Sequence, residues 1–249
     1  MNIAILQPRV SYYNGGGEKN ALDSIRSLAR GDQSRTIFLY TLKSILPETA
    51  YYQKFKEAVA GTNVVVVELS IPQECTYLYD IQPGENRFRW DAESLFFNRI
   101  VLPRLTEDSI DIVWSYYLMD MAVKPVGIPA VLYLLGYPKN KSDYRDAIIA
   151  QYDEVVAISE NTVRGWNDVM DRKIGDHSIL HQGIQVDLET KRVSEFTDEY
   201  FNIVFAGRFI ERKGVCTLLH ALRRVIDAGE SKVRLFLLGE GVLLETMKK

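Results

Sequence analysis

Cysteine is scarce in this sequence, which excludes two kinds of stabilising chemistry. The two cysteines, Cys75 and Cys216, lie far apart along the chain and belong to neither a metal-binding nor a redox spacing. A disulfide between them is not expected in a reducing compartment. We therefore interpret both as packing residues.

Long apolar runs are absent as well. No stretch approaches the ~18 consecutive apolar residues that a membrane-spanning helix needs. The N-terminus enters a strand-like pattern at once, without the basic and apolar regions of a secretory leader. These absences predict a cytoplasmic protein.

A strong charge of either sign is also missing. The formal net charge is −3, which gives no reason to expect nucleic-acid binding. The charge is uneven, however, because residues 201–249 carry +4 and the first 200 residues carry −7. A basic second segment suits an anionic ligand shared between two parts of the chain. A chance distribution of surface charge explains the imbalance equally well.

What the sequence does contain is a regular alternation of short apolar runs and amphipathic helical patterns. We predict strands at 2–7, 36–41, 64–69, 110–115, 130–135, 154–158 and 178–181, and helices at 18–30, 48–60, 91–105 and 160–170. Such alternation predicts an α/β fold, a Rossmann-like doubly wound parallel sheet with helices on both faces.

The alternation breaks once, over residues 185–200, and then restarts. Strands at 202–206 and 233–238 and a helix at 215–228, with its apolar side buried, begin a second α/β unit that is not finished. We therefore predict an N-terminal Rossmann-like domain over 1–190, followed by a linker and an incomplete second domain over 191–249. Two βα units are too few to close a sheet of usual size.

The first candidate site is the glycine run between the first strand and the first helix. Gly15, Gly16 and Gly17 offer positive φ angles and close backbone approach. A strand, a glycine turn and a helix start can present backbone N–H groups to a phosphate. The run fits neither a dinucleotide fingerprint nor a P-loop, and a flexible turn is an equally good interpretation of it alone.

The second candidate site is the segment from Gly207 to Gly214, which also lies between a strand and a helix start. Arg208 and Lys213 fall at the carboxyl end of the strand, where α/β folds bind ligands. A guanidinium binds phosphate in bidentate fashion and a lysine adds a mobile charge. We prefer this phosphate-binding interpretation to that of a charged turn.

Arginines lie among aromatic residues between positions 87 and 104. This patch is open to two interpretations, a membrane-surface or acceptor-facing patch and a solvated helix face over a core stripe, of which we favour the second. The arginines are Arg87, Arg89, Arg99 and Arg104.

Four segments of the chain resemble GT-B glycosyltransferases of the retaining, glycogen-synthase-like family 4. They are 15–18, 155–160, 181–187, and 205–214 together with 238–241. The resemblance implies transfer of a sugar from a nucleoside-diphosphate sugar to a glycan, lipid or small-molecule acceptor, with retention at the anomeric carbon. It further implies no cofactor and no metal, because basic side chains neutralise the leaving diphosphate. Peripheral contact with the inner face of a membrane stays open.

The same resemblance suggests roles for individual residues. Arg208 and Lys213 would hold the diphosphate, and Gly16 and Gly17 would approach it from the facing domain. Gly136 and Tyr137 would lie on the acceptor side. These roles agree with the general need to meet developing negative charge with preorganised donors.

Three departures from the family pattern bear on activity. Leu135 stands where the family often has a histidine, and Gln182 replaces the usual asparagine of a glycine turn. The glutamates that contact the donor in the family would lie beyond Lys249, so we expect a truncated chain. We interpret the neighbouring His181 as structural.

These departures keep other functions open. A non-catalytic GT-B-like binding or assembly module is the main alternative, beside an inactive fragment. A GT-B-type epimerase has no positive feature in its favour. The apolar face of the helix in the unfinished second domain invites self-association.

Overall fold

The computed structural model describes residues 1–43, 46–71, 73, 76, 86–116, 127–138, 141, 143–183 and 199–248, with the backbone alone for 86–91 and 143–145. The chain forms two compact units, Met1–Gln185 and Val186–Lys249. Within the described residues, no helix has the length and apolar character needed to cross a membrane.

The first unit is built on a seven-stranded sheet in which all paired strands are parallel. Its strands are β1 (Asn2–Leu6), β2 (Thr36–Lys43), β3 (Val64–Ser70), β4 (Ile112–Ser115), β5 (Ala130–Leu134), β6 (Glu154–Ala157) and β7 (Ser178–Ile179). Their spatial order is β3-β2-β1-β4-β5-β6-β7, which reverses direction between β1 and β4. The predicted doubly wound parallel sheet is therefore confirmed.

Helices cover both faces of this sheet. They are α1 (Gly16–Arg30), α2 (Ala50–Val59), α3 (Asn86–Glu107), α4 (Asp143–Ile149) and α5 (Glu160–Val169). Helices α1 and α2 pack against Ile5, Ile37 and Leu39. Helix α3 packs on the opposite face of the sheet, against Ala4 and Leu6 of β1. Helices α4 and α5 lie on the same side as α3, because β5 alternates its side chains between the two faces.

The helix starts show how local chemistry sets the boundaries. Ser159 caps α5 as predicted, since its side chain accepts a hydrogen bond from the Thr162 N–H. Thr49 caps α2 in the same way. Helix α3 begins at Asn86, five residues before the predicted start at Asp91, and α4 was not predicted at all.

The second unit is small. It contains β8 (Phe201–Ala206), a 3₁₀ turn (Glu211–Lys213), α6 (Val215–Asp227), β9 (Val233–Leu238) and α7 (Leu244–Met247). Strands β8 and β9 pair in parallel. The prediction that one whole side of α6 is buried is wrong, because only Val215 is buried, while Val225 and Ile226 are 41% and 45% exposed. Two strands offer too little surface to cover a four-turn helix.

Candidate functional site

In the first unit the candidate residues meet at the carboxyl edge of the sheet. Helix α1 begins beside the end of β5, since a Cβ placed on Gly17 would lie 3.0 Å from Leu135 Cδ1. The turn after β5 is held in place by α5, whose Trp166 Nε1–H donates a 2.8 Å hydrogen bond to the Gly136 carbonyl. The structure therefore brings Gly17 and Gly136 to one edge.

Tyr137 extends this edge. Its ring packs on Gly165 of α5 so closely that a Cβ at position 165 would overlap the ring. Even so, Tyr137 is 54% exposed. The turn thus combines a fixed backbone with an aromatic side chain that solvent and ligands can reach, which is typical of a binding loop on a rigid scaffold.

Gly15 and Gly17 of the glycine run serve close packing, and none of the three glycines adopts the positive φ angle that glycine permits. Gly15 is the N-cap of α1 with φ −99°, and Gly16 and Gly17 are its first helical residues, two positions before the predicted start. The expected close approach is found at Gly15, where a Cβ would overlap the Glu18 carboxylate and lie 2.8 Å from the Tyr13 ring. Gly16 is exposed, and a Cβ there would meet no atom within 4 Å.

A buried ion pair lies beneath this run. Arg9 Nε and Glu18 Oε1 are 3.9 Å apart, and the two side chains are only 8% and 10% exposed. Glu18 belongs to the first turn of α1, where the helix dipole favours a carboxylate. The Arg9 carbonyl also accepts hydrogen bonds from the Tyr12 and Tyr13 N–H groups. The pair joins the loop after β1 to the start of α1.

Sequence reasoning missed Arg9. Its side chain is separated from Glu18 by nine positions, and no periodic pattern marks either residue as buried. The usable signal was the position of Arg9, three residues past the end of a buried strand and ahead of the glycine run. The pair means that charges of both signs already lie at the N-terminus of α1.

Beyond β7 the chain returns to the same edge. His181 is exposed, and its Nδ1 hydrogen-bonds to the Ile158 carbonyl at 2.9 Å, which ties the end of β7 to the end of β6. Gln182 and Gly183 follow it and are exposed as well. Among the described residues, no group of three or more His, Cys, Asp or Glu side chains could hold a metal ion.

In the second unit, Arg208 and Lys213 lie on one loop at the carboxyl end of β8, and both side chains are exposed. Phe209, which is 2% exposed, anchors the loop. Its N–H donates to the Glu240 carbonyl at 2.7 Å, and its carbonyl accepts from the Leu243 N–H at 3.0 Å. The loops that follow β8 and β9 therefore support each other.

Glycine is required for this contact between the loops after β8 and β9, which we call the interlock. Gly239 has φ +153°, and a Cβ there would overlap the Gly207 carbonyl oxygen. A Cβ on Gly241 would lie 2.5 Å from the Phe209 carbonyl oxygen. The backbone of the Arg208 loop is thus held by contacts that no other residue type permits. The structure places Arg208 and Lys213 in this unit and the candidate glycines in the first.

The similarity of this chain to known proteins lies in its fold. No protein-family model matches the chain, and no curated protein matches it significantly. Among solved structures it is similar to the apo form of OtsA, with a TM-score of 0.58 and 12% identity over 96% of this chain and 65% of that one.

Two further structures are similar at the same level. The α,α-trehalose 6-phosphate synthase from Burkholderia multivorans has a TM-score of 0.57 at 12% identity, over 99% of this chain and 66% of that one. A glycosyltransferase from Rickettsia africae has a TM-score of 0.55 at 12% identity, over 95% of this chain and 68% of that one. The chain thus spans about two thirds of these proteins. At such identities the likeness concerns the fold alone, and that fold is the Rossmann-like α/β fold of GT-B glycosyltransferases.

Proposed function

We propose that this chain serves glycosyl transfer from a nucleoside-diphosphate sugar to a hydroxyl acceptor, with retention at the anomeric carbon. The observation that carries the proposal is the Arg208 loop, in which two exposed cations follow a parallel strand on a backbone braced by Gly239 and Gly241. The fold likeness to glycosyltransferases supports it independently.

In this reaction the bond between the anomeric carbon and the diphosphate breaks, and a bond to the acceptor oxygen forms. The diphosphate leaves with increased negative charge, and the hydroxyl proton of the acceptor passes to the departing diphosphate or to water. Arg208 would bind that diphosphate in bidentate fashion, and Lys213 would add a second positive charge. Fixed cations that meet developing charge lower the barrier without a bound metal.

The carboxyl edge of the first unit would serve the acceptor and the approach of the donor. Gly16 is the open position of the glycine run, where a ligand can approach the backbone at the start of α1. Gly17 would contribute the adjacent N–H. Gly136 and Tyr137 would contact the acceptor, which we take to be a glycan, a lipid or a small molecule. We further propose that the protein works in the cytoplasm.

One observation favours a second candidate function, a binding module without turnover. Leu135 stands where the family resemblance implies a histidine, and its side chain packs against Gly17. An aliphatic side chain there neither accepts a proton nor donates a hydrogen bond. Such a module would bind the donor nucleotide and leave the sugar–phosphate bond intact.

An assay of product release tests the proposal. The protein is incubated with UDP-, GDP- and ADP-sugars and a panel of hydroxyl acceptors, and nucleoside diphosphate release is measured together with the anomeric configuration of the product by NMR. Release coupled to a product that retains the donor configuration supports glycosyl transfer. Nucleotide binding without release supports the module or an inactive fragment over glycosyl transfer by this chain, and an inverted product contradicts the retaining mechanism.

A further inference from the structure

A groove runs along α1 on one face of the first unit, from Asn20 in the second turn of the helix to Arg30 at its end. Helices α1 and α2 are the described helices on this face, whereas α3, α4 and α5 pack on the other. This division follows from right-handed crossovers, which change sides where the strand order reverses. The groove has a volume of about 790 Å³, within the ~300–1,000 Å³ typical of small-molecule sites.

The floor of the groove is apolar and aromatic. Ile3 and Ile112 lie in it beside a cluster of three rings, those of Trp114, Tyr116 and Tyr133. The Tyr116 and Tyr133 rings meet edge to face with centroids 5.2 Å apart, and the Trp114 ring lies 5.8 Å from that of Tyr133. Of these three rings Trp114 is partly exposed, whereas Tyr116 and Tyr133 are buried, so Trp114 is the ring that another ring can contact.

Two residues that line this groove each carry a buried polar atom without a hydrogen bond. Asn20 is 2% exposed, and its Oδ1 has no partner among the described residues. The same holds for Trp114 Nε1, and both atoms are shielded from water. A buried donor and a buried acceptor that are left unpaired both destabilise the folded state. A ligand hydroxyl is a group that can accept from one and donate to the other.

The charged side chains lie on the wall of the groove, and among them Arg30 has no ion pair within the described residues. Arg26 pairs with Asp23 at 3.1 Å, and Arg35 pairs with Asp32 at 2.9 Å. Burial raises the pKa of Tyr116 to about 12, so that its hydroxyl stays neutral at physiological pH. A charged ligand body would find no countercharge on the floor and would lose its hydration there.

We propose that this groove binds a mainly apolar ring compound whose uncharged ring body carries a hydroxyl group. Its ring packs on Trp114, and its hydroxyl accepts a hydrogen bond from Trp114 Nε1–H and donates one to Asn20 Oδ1 after a small side-chain adjustment. All the groups involved belong to the first unit. The inference therefore stands apart from the proposed glycosyl transfer and from Arg208.

A matched pair of probes tests this inference. The affinities of 2-naphthol and naphthalene, which differ by one hydroxyl, are compared by equilibrium dialysis with the whole chain. Two hydrogen bonds worth roughly 0.5–1.5 kcal/mol each predict that 2-naphthol binds about fivefold or more tightly. Trp114→Phe and Asn20→Ala each reduce that preference, whereas Ser27→Ala, at an exposed position on the groove wall, leaves it unchanged.

A second measurement keeps the inference testable if a variant does not fold. The chain has three tryptophans, so the proton–nitrogen NMR spectrum of the wild type contains three indole signals. One of them, and no other, is expected to move downfield with 2-naphthol and to move much less with naphthalene. Equal affinity for the two probes, or a preference that survives both substitutions, overturns the proposal. So does a dimer in sedimentation velocity that excludes 2-naphthol.

Discussion

Gly17, the second residue of α1, lies directly against Leu135 at the end of β5, because a Cβ at position 17 would stand 3.0 Å from Leu135 Cδ1. This contact joins the two loops of the first unit to which we assign binding roles. It also explains one glycine of the run by side-chain packing. The neighbouring glycines have different surroundings, which makes the run suitable for a graded test.

Replacing each glycine of the run by alanine should give three different changes in stability. Gly15→Ala should destabilise the protein by about 1–3 kcal/mol, since its Cβ meets Glu18 and Tyr13. Gly16→Ala should stabilise it by up to about 0.5 kcal/mol, because the site is helical and open. Gly17→Ala should fall between them. Urea unfolding measures all three, and equal effects would contradict the described packing.

The Arg9–Glu18 pair should be strongly coupled. Arg9→Met leaves the Glu18 carboxylate buried without this partner, and breaking a buried pair costs about 3–5 kcal/mol. The double variant Arg9→Met with Glu18→Met should recover a large part of that loss. A double-mutant cycle in urea measures the coupling. A coupling energy near zero would show that the two charges act independently.

The interlock of the second unit depends on Gly239. Gly239→Ala combines a strained φ angle with an overlap on the Gly207 carbonyl, so we expect a local loss of about 3 kcal/mol or more. The Phe209 N–H donates to the Glu240 carbonyl, and its hydrogen-exchange rate measures this local loss of stability. Gly229→Ala is the matched control, because Gly229 has φ +102° but open surroundings. Similar exchange rates in both variants would exclude the overlap.

Histidine 177 should make stability depend on pH. The Gly175 carbonyl and then Glu160 raise the pKa of His177 above its ordinary value of 6.5. Because the folded-state pKa is the higher one, the stabilisation is complete below pH 6.5 and is lost as pH rises through the folded-state pKa. NMR titration of the imidazole should give a value above 6.5. His177→Gln should remove this part of the pH dependence of stability. A titration midpoint of the imidazole below 6.5 would contradict the prediction.

Much of the fold could be predicted because it follows from local patterns. Buried parallel strands appear as short apolar runs, and right-handed crossovers then dictate the doubly wound arrangement. Helix α4 escaped prediction because its seven residues are too short for a periodic signal. The exposure of Val225 and Ile226 could not be predicted from the helical pattern, because burial depends on how much sheet is present to cover a helix.

The candidate site could be predicted only in part. The positions of Arg208 and Lys213 at the end of a strand followed from the sequence, and the structure places them there. The bracing of their loop by the backbone around Gly239 did not follow, since it depends on contacts between loops that lie about thirty residues apart. Arg9 was missed for the same reason. The binding roles of these residues remain predictions.

The central claim is that the Arg208 loop binds the diphosphate of a nucleotide sugar, and isothermal titration calorimetry with UDP, GDP and ADP tests it most directly. The wild type should bind at least one of them, and Arg208→Ala should weaken that binding about tenfold or more, as expected for a charge-assisted contact of roughly 1.5–3 kcal/mol. Arg212→Ala is the matched control, because Arg212 is an exposed cation of the same loop. Equal affinities for the wild type and Arg208→Ala, or an equal loss in both variants, would contradict the account.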